Sequence, residues 1–433
     1  MKGALRKTLL GGLLFMLLCS ILIVSWLVLA NRNPDLDQPA TVVIDVRQQL
    51  AQGAYLARIG NCMSCHTARG GASYAGGRAV PTPFGNVYAS NLTPDKDTGL
   101  GHWSSDDFWR AMHDGKSRDG RLLYPAFPYP NYTRVSRADS DAIFAYLQTL
   151  PAVKQENRAP ELRAPYDNRL LLYAWRALYF RAGTFVADDT QSFAWNRGAY
   201  LTQGLGHCSA CHSPRDRWGG IDGKAELAGG MISSLNWYAP PLNGSANSLG
   251  KWHDTEIVAF LKAGLTAERS ATGPMAEVIA TSLQYVSHDD VQAMATYLSA
   301  LPPSDKGPVP IDDNLRREEK QAIIASGARL YEQHCVNCHQ AAGQGVASVY
   351  PALAGSYAVT AAIAANPIRL VLHGGFGAST TGNPRPYGMP PFGHVMTDNE
   401  IAAVVTYIRN AWGNQASAVS ARDVNQYRSQ EGL

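Results

Sequence analysis

Three copies of Cys-x-x-Cys-His constrain this chain more than anything else in it: Cys62-Met-Ser-Cys65-His66, Cys208-Ser-Ala-Cys211-His212 and Cys335-Val-Asn-Cys338-His339. They use six of the seven cysteines; Cys19, inside an N-terminal apolar segment, is left over. A Cys pair at this spacing followed directly by His reads as covalent c-type haem attachment. Each thiol adds to one haem vinyl group, and the adjacent imidazole reaches the iron from the proximal side. A structural zinc site needs four ligands, usually from two such pairs, whereas these pairs stand 146 and 127 residues apart. A thioredoxin-like motif needs a βαβ context that these regions lack. The expected cofactor is therefore haem c in three copies, held by Cys62, Cys65, Cys208, Cys211, Cys335 and Cys338, with His66, His212 and His339 as proximal ligands.

Residues 8–30 carry no charge and follow Lys2, Arg6 and Lys7. That length suits a spanning helix of ~20 residues better than the ~7–15-residue apolar region of a signal peptide. Val28-Leu29-Ala30 offers a cleavage site for the alternative, a removed signal. In either case the basic flank stays cytoplasmic and the rest is exported. The expectation is a bacterial inner-membrane protein with one N-terminal anchor, in contact with lipid, and its bulk in the periplasm. Outside those three basic residues, Lys+Arg and Asp+Glu balance at 35 each. A nucleic-acid partner, which needs a basic patch or stripe, is not expected.

A similar frame surrounds each motif. Gly53-Ala-Tyr-Leu56, Gly198-Ala-Tyr-Leu201 and Gly327-Ala-Arg-Leu330 precede the cysteines. Amphipathic helices over 141–147, 290–298 and 400–408 close the units, with apolar residues at i, i+3 and i+4. Leu150-Pro151 and Leu301-Pro302 stop the first two. A middle helix aligns Trp103 to Gly115 with Trp252 to Gly264. The resulting division is an anchor or signal over 1–34, units over 35–151, 193–302 and 322–413, a helical connector over 152–192, a linker over 303–321 and a tail over 414–433. Within the connector, 170–180 is too apolar for a free surface helix and is expected to pack between units.

An electron-transfer haem needs a sixth ligand, and Met opposite His raises its potential. Met389, in Tyr387-Gly-Met-Pro-Pro391, and Met275, after Gly273-Pro274, are expected in that role, with Met396 and Met231 as rivals; Met294 reads as packing. The first unit departs, because Phe127 stands where a Met is expected and cannot coordinate iron. Met112 is taken first, at a position expected to face the core; His113, His102 or an iron with no sixth protein ligand are the alternatives. Met63 lies within its own motif. His207 and His334 read as packing beside the haem edge. The carboxylates Asp106-Asp107 and Asp289-Asp290 read as helix caps, and no phosphate-binding loop is present.

Three such units behind an apolar segment resemble the triheme cytochrome c subunit of membrane-bound, periplasm-facing bacterial dehydrogenases. The resemblance covers nearly the whole chain. It implies an all-α fold of three tandem class I cytochrome c-like domains behind one transmembrane helix. It also implies a non-catalytic subunit that passes electrons from a partner dehydrogenase to ubiquinone. Residues 119–129 and 236–242 resemble the branch serving molybdopterin-type aldehyde dehydrogenases, which implies a molybdopterin catalytic subunit and a small iron–sulfur subunit as partners. An alcohol or sugar dehydrogenase complex, or a stand-alone haem enzyme using an open first iron, are the alternatives.

Overall fold

A computed structural model describes residues 2–31, 45–244, 252–303 and 315–429, without the first-helix side chains at 2–10, 13, 23 and 30. Residues 32–34, linker residues 304–314 and the last four residues of the expected tail lie outside the described residues. Unit 1 contains α2 (Val46–Ile59), α3 (Cys62–Cys65), β1 (Ala79–Thr82), β2 (Gly85–Tyr88), α4 (Ser105–Asp114), α5 (Tyr129–Tyr132) and α6 (Arg137–Leu147), preceded by α1 (Lys2–Ala30). The connector adds β3 (Glu161–Leu162) and α7 (Leu170–Tyr179). Unit 2 follows with α8 (Phe193–Gln203), α9 (Ser209–His212), β4 (Gly230–Ile232), β5 (Trp237–Ala239), α10 (Asp254–Ala263), α11 (Gly273–Thr281) and α12 (His288–Ser299). Unit 3 holds α13 (Arg317–His334), α14 (Val336–His339), α15 (Tyr357–Thr360), α16 (Ala365–His373), β6 (Gly375–Phe376), β7 (Gly388–Met389), α17 (Asp398–Ile408) and α18 (Ala421–Arg428).

One crossing builds every unit. Its first helix lies across its last, α2 on α6, α8 on α12 and α13 on α17. The contact point is the glycine of each approach sequence. A Cβ would stand 1.9 Å from the Ala142 carbonyl oxygen at Gly53, 1.9 Å from that of Ala293 at Gly198, and 2.1 Å from that of Ala403 at Gly327. Only a bare backbone permits that approach, and Tyr146, Tyr297 and Tyr407 close over it. Serine and threonine caps start the closing helices: Ser136, Ser287 and Thr397 accept from the backbone N–H three residues on.

Units 1 and 2 pack as a pseudo-two-fold pair around one shared core that includes Leu56, Ile143, Val135 and Leu205 with Ile257, Ile279, Val286 and Met294. The first helix of each reaches the last helix of the other by the same bonds. Tyr55 Oη donates to Asp290 Oδ2 at 2.7 Å and accepts from Ser287 N at 3.0 Å. Tyr200 Oη donates to Asp139 Oδ2 and accepts from Ser136 N at 3.1 Å. Asp290 also takes a two-pronged bond from Arg197, at 2.7 and 2.8 Å. Read as a cap, its carboxylate in fact joins two units. Unit 3 has a core of its own around Ile368, Ile401, Val404 and Val405.

The all-α expectation is corrected. The chain is helical with a three-stranded antiparallel sheet, β1-β2-β3, and two antiparallel pairs, β4-β5 and β6-β7. These strands sit in the loops between the helices, where buried backbone groups need partners. At Gly85 (φ +128°) a Cβ would meet the Glu161 carbonyl at 2.2 Å, so the glycine admits β3 to the sheet.

The expected anchor is corrected as well. Residues 8–30 do fall in one helix, α1, but among the described residues no helix is long and apolar enough to cross a membrane. The N-terminal transmembrane helix is overturned, and with it the single-anchor inner-membrane placement. Lys2, Arg6 and Lys7 are taken into the helix instead of flanking it. Past its far end, Asn31 Nδ2 donates to Tyr173 O at 3.0 Å and Asn31 Oδ1 accepts from Arg176 Nε at 3.0 Å. The connector helix α7 thus bridges: Arg176 is fully buried and also donates to Asp114 O, while Trp175 Nε1 donates to Trp218 O in unit 2. Leu170, Tyr173 and Leu178 stay exposed.

Two outcomes follow from this architecture. Gly198→Ala should destabilise the chain by about 1–3 kcal/mol through overpacking against backbone, outweighing the ~1 kcal/mol that alanine returns to a helix interior; calorimetric unfolding checks the sign. Burial alone would raise the Asp290 carboxyl, yet the Arg197 and Tyr55 bonds hold it below the usual carboxylate range. Its stabilisation is therefore present above the ordinary Asp value, ~3.9, and lost as pH falls through the lower folded value. Asp290→Asn should cost about 1.5–3 kcal/mol at neutral pH and nothing in strong acid, as unfolding at the two pH values would show.

Candidate functional site

Each Cys-x-x-Cys-His segment folds as one helical turn. His66 N, His212 N and His339 N donate to the carbonyl of the first cysteine, each at 2.9 Å. Residues three apart share a helix face, so the turn brings both sulfurs to one side with the imidazole next to them. The ring is then fixed from behind. Nδ1 of His66 donates to Ser90 O at 2.7 Å, that of His212 to Pro240 O at 2.7 Å, and that of His339 to Pro351 O at 3.1 Å. A backbone carbonyl on Nδ1 sets the tautomer that leaves the Nε2 lone pair for a metal. Burial, opposed by that bond, pushes all three imidazoles below the ordinary histidine range, so they are neutral and ready to ligate.

Burial pushes the Cys62 and Cys208 thiols up to about 12 and that of Cys335 to about 11. Among the described residues no three His, Cys, Asp or Glu side chains group as a metal site. Two thiols beside a carbonyl-fixed imidazole match the donor set of a covalently attached haem.

The space for the group is present at the second and third sites. A cavity of about 590 Å³ runs between units 2 and 3, lined by Cys208, Cys211, His212 and Met275 from one and Cys335, Cys338, His339 and Met389 from the other. Met275 sits in the first turn of α11, a helix started by Gly273-Pro274, where a loop was expected. Met389 sits in β7, paired with Gly375 of β6. The rivals do not line the cavity: Met231 is paired with Tyr238 in the β4-β5 ladder, and Met396 belongs to the core of unit 3. Met294 reaches the cavity from α12 but is fully buried core. Asn366 clasps the two units. Its side-chain oxygen accepts from Tyr238 N and its Nδ2 donates to Tyr238 O, both at 2.8 Å.

The first site is built differently. Phe127, half-buried, packs edge-on against Tyr132 at 5.3 Å, and it borders the same apolar cluster that Cys62 and Met63 border. Met112 and Phe108, one turn apart on α4, face the same apolar cluster. His113 lies on the neighbouring face: it stacks on Trp109 at 4.6 Å, Nδ1 pairs with Asp114 at 2.8 Å, and the buried Nε2 has no hydrogen-bond partner among the described residues. His102 is exposed. His207 and His334, expected to pack, line the cavity and touch Tyr132 and Phe392 edge-on. The carbonyls that fix the three histidine rings went unread in the sequence. Their signal is weak, lying 24, 28 and 12 residues past the histidines, although two of the three belong to prolines.

Comparison with known proteins agrees with this construction. The cytochrome c family model matches residues 50–151 and 324–412, which include the first and third motifs. The chain is 38% identical over 380 residues to a nicotinate dehydrogenase subunit from Pseudomonas putida, covering 85% of this chain but only 31% of that protein. It is 36% identical over 398 residues to the cytochrome c subunit of alcohol dehydrogenase (quinone) from Gluconobacter oxydans, covering 88% of this chain and 82% of that one. The cytochrome c subunit of gluconate 2-dehydrogenase from Pantoea cypripedii is 36% identical over 398 residues, with 88% and 89% covered.

Proposed function

The chain belongs to the cytochrome c subunits of bacterial dehydrogenase complexes, and on that premise we propose that it conducts electrons through three covalently bound haems from a partner dehydrogenase to ubiquinone. The observation that carries the reading is one geometry met three times, a helical turn presenting two sulfurs and a carbonyl-fixed neutral imidazole. Cys62 and Cys65, Cys208 and Cys211, and Cys335 and Cys338 hold the groups; His66, His212 and His339 are the proximal ligands. Haem bound there supplies a reversible one-electron iron couple. Met275 and Met389 are the distal ligands of the second and third sites, because they share the cavity with the proximal residues and their rivals do not. Met112 is the distal ligand of the first site, supported by its place in the apolar cluster that Cys62 borders. The units follow the motifs: 35–151, 193–302 and 322–413, with 152–192 as connector.

The acceptor reading is supported by the relative from Gluconobacter oxydans, whose name specifies a quinone. For the partner, a molybdopterin aldehyde dehydrogenase with an iron–sulfur subunit rests on residues 119–129 and 236–242. The relatives named for alcohol and gluconate support an alcohol or sugar dehydrogenase equally well. Purification of the chain from its own host in mild detergent should bring a dehydrogenase with it, and that enzyme's substrate should reduce the haem spectrum. A chain that purifies alone and is reduced by no aldehyde, alcohol or sugar would contradict the reading.

Met275→Ala or Met389→Ala should each lower one midpoint potential and remove one Met-to-iron absorption contribution, since thioether ligation raises the potential. Redox titration followed optically reads both effects. If neither variant changes the spectrum, the distal assignment is wrong.

A further inference from the structure

The pseudo-two-fold relation between units 1 and 2 is broken between their attachment sites. Counting back five and four residues from the capping serines, Asn131 and Tyr132 of unit 1 correspond to Ser282 and Leu283 of unit 2. His207, directly before Cys208, corresponds to Asn61 before Cys62; both hold left-handed backbone, at φ +37° and +50°. Ser282 Oγ also reaches across, donating to Ile59 O at 3.1 Å, but Ser282, Leu283 and Asn61 have no groups to match the second amide bond and the row of rings that Asn131, Tyr132 and His207 supply. Asn131 Nδ2 donates to Gln203 O at 3.0 Å and to the hydroxyl of Ser209, which lies between Cys208 and Cys211, at 2.8 Å. The next residue turns the other way, and Tyr132 Oη donates to Gly60 O, two residues before Cys62, at 3.2 Å.

Two adjacent side chains on α5 thus bind the approach to one site and the attachment turn of the other. The Tyr132 ring, fully enclosed, meets Phe127 at 5.3 Å and His207 at 5.6 Å, both edge-on. His207 is held by Nδ1 on Leu205 O at 2.7 Å and lines the cavity of the second site. The row runs unbroken from the loop of the first site to the edge of the second. On the far side, Ser64 and Arg78 of unit 1 hold Glu277, two residues beyond Met275, at 3.0 and 2.7 Å. The first attachment turn therefore leans on the helix that carries the second distal ligand.

We propose that Asn131, Tyr132 and His207 are positioning residues for electron exchange between the first two sites, fixing the two attachment turns relative to one another and filling the space between them. The proposal rests on haem at both sites. One electron leaves a ferrous site and reduces its ferric neighbour. No bond forms or breaks in Tyr132 or His207, and no proton moves. Electron tunnelling falls steeply with separation and with gaps in the intervening medium, so a joint that sets both sets the rate. The second and third sites need no such joint, because they open into one cavity.

The pseudo-symmetry supplies substitutions that fit the same backbone: Asn131→Ser, Tyr132→Leu and His207→Asn each install the residue used by the other half. In the full-length haem-loaded chain, haem per chain, the midpoint potentials and the rate of electron redistribution after photoreduction of a partly oxidised sample are measured together. The expected result is unchanged haem content and potentials with a severalfold slower redistribution in Tyr132→Leu, slower again in the triple variant, and Tyr132→Phe nearer wild type because it keeps the ring. Wild-type rates in the haem-replete triple variant would overturn the proposal, as would a slowing that appears only with shifted potentials. A wild-type chain lacking the first or second haem would instead overturn the haem assignment underneath it.

Discussion

A backbone carbonyl on Nδ1 of each motif histidine is the contact on which the sites depend. It chooses the tautomer and turns the ring toward the sulfurs, while burial, against the pull of that bond, keeps the base neutral. Metal-ligating histidines commonly rely on such an outer partner to fix ring orientation. Here the partners are main-chain atoms, so the orientation depends on how each loop is folded. The short strand pairs serve that end: β4-β5 ends at Ala239, immediately before the Pro240 carbonyl that holds His212.

The second constraint is the bare backbone at Gly53, Gly198 and Gly327. With first and last helices in contact there, each unit has a rigid back against which its attachment turn is placed. The turn follows the first helix within a few residues, so an error in the crossing would move the sulfurs directly. Units 1 and 2 then join through exchanged tyrosines into a near-symmetric pair with a common core, while unit 3 keeps its own core and meets unit 2 across the cavity and the Asn366 clasp. The arrangement gives each site a different relation to its neighbour: a packed joint between the first two and an open shared space between the last two.

The parts of this molecule legible in the sequence were those set by local chemistry. Cys-x-x-Cys-His encodes its own turn, and i, i+3, i+4 periodicity with a capping serine encodes a closing helix, so the three turns and the helices that close over them could be read directly. The long apolar run was legible as a helix but not as a membrane span. Two- to four-residue strands such as β3 and β6 were illegible because their pairing is decided by loops brought together from far apart, as Gly85 is with Leu162. Asp290 looked like any helix-start carboxylate, and its bonds to Arg197 and Tyr55 depend on packing that no window of sequence contains. Phe127 announced that the first site was different, and its partner Tyr132 became visible only with the fold.

Haem stoichiometry tests the central claim most directly. Pyridine haemochrome on denatured full-length chain is measured beside three variants, each with the two cysteines of one motif changed to alanine. Three equivalent uses of one geometry predict three covalent haems per chain in the wild type and two in every variant. Two or fewer in the wild type, or a variant that keeps the wild-type count, would contradict the account.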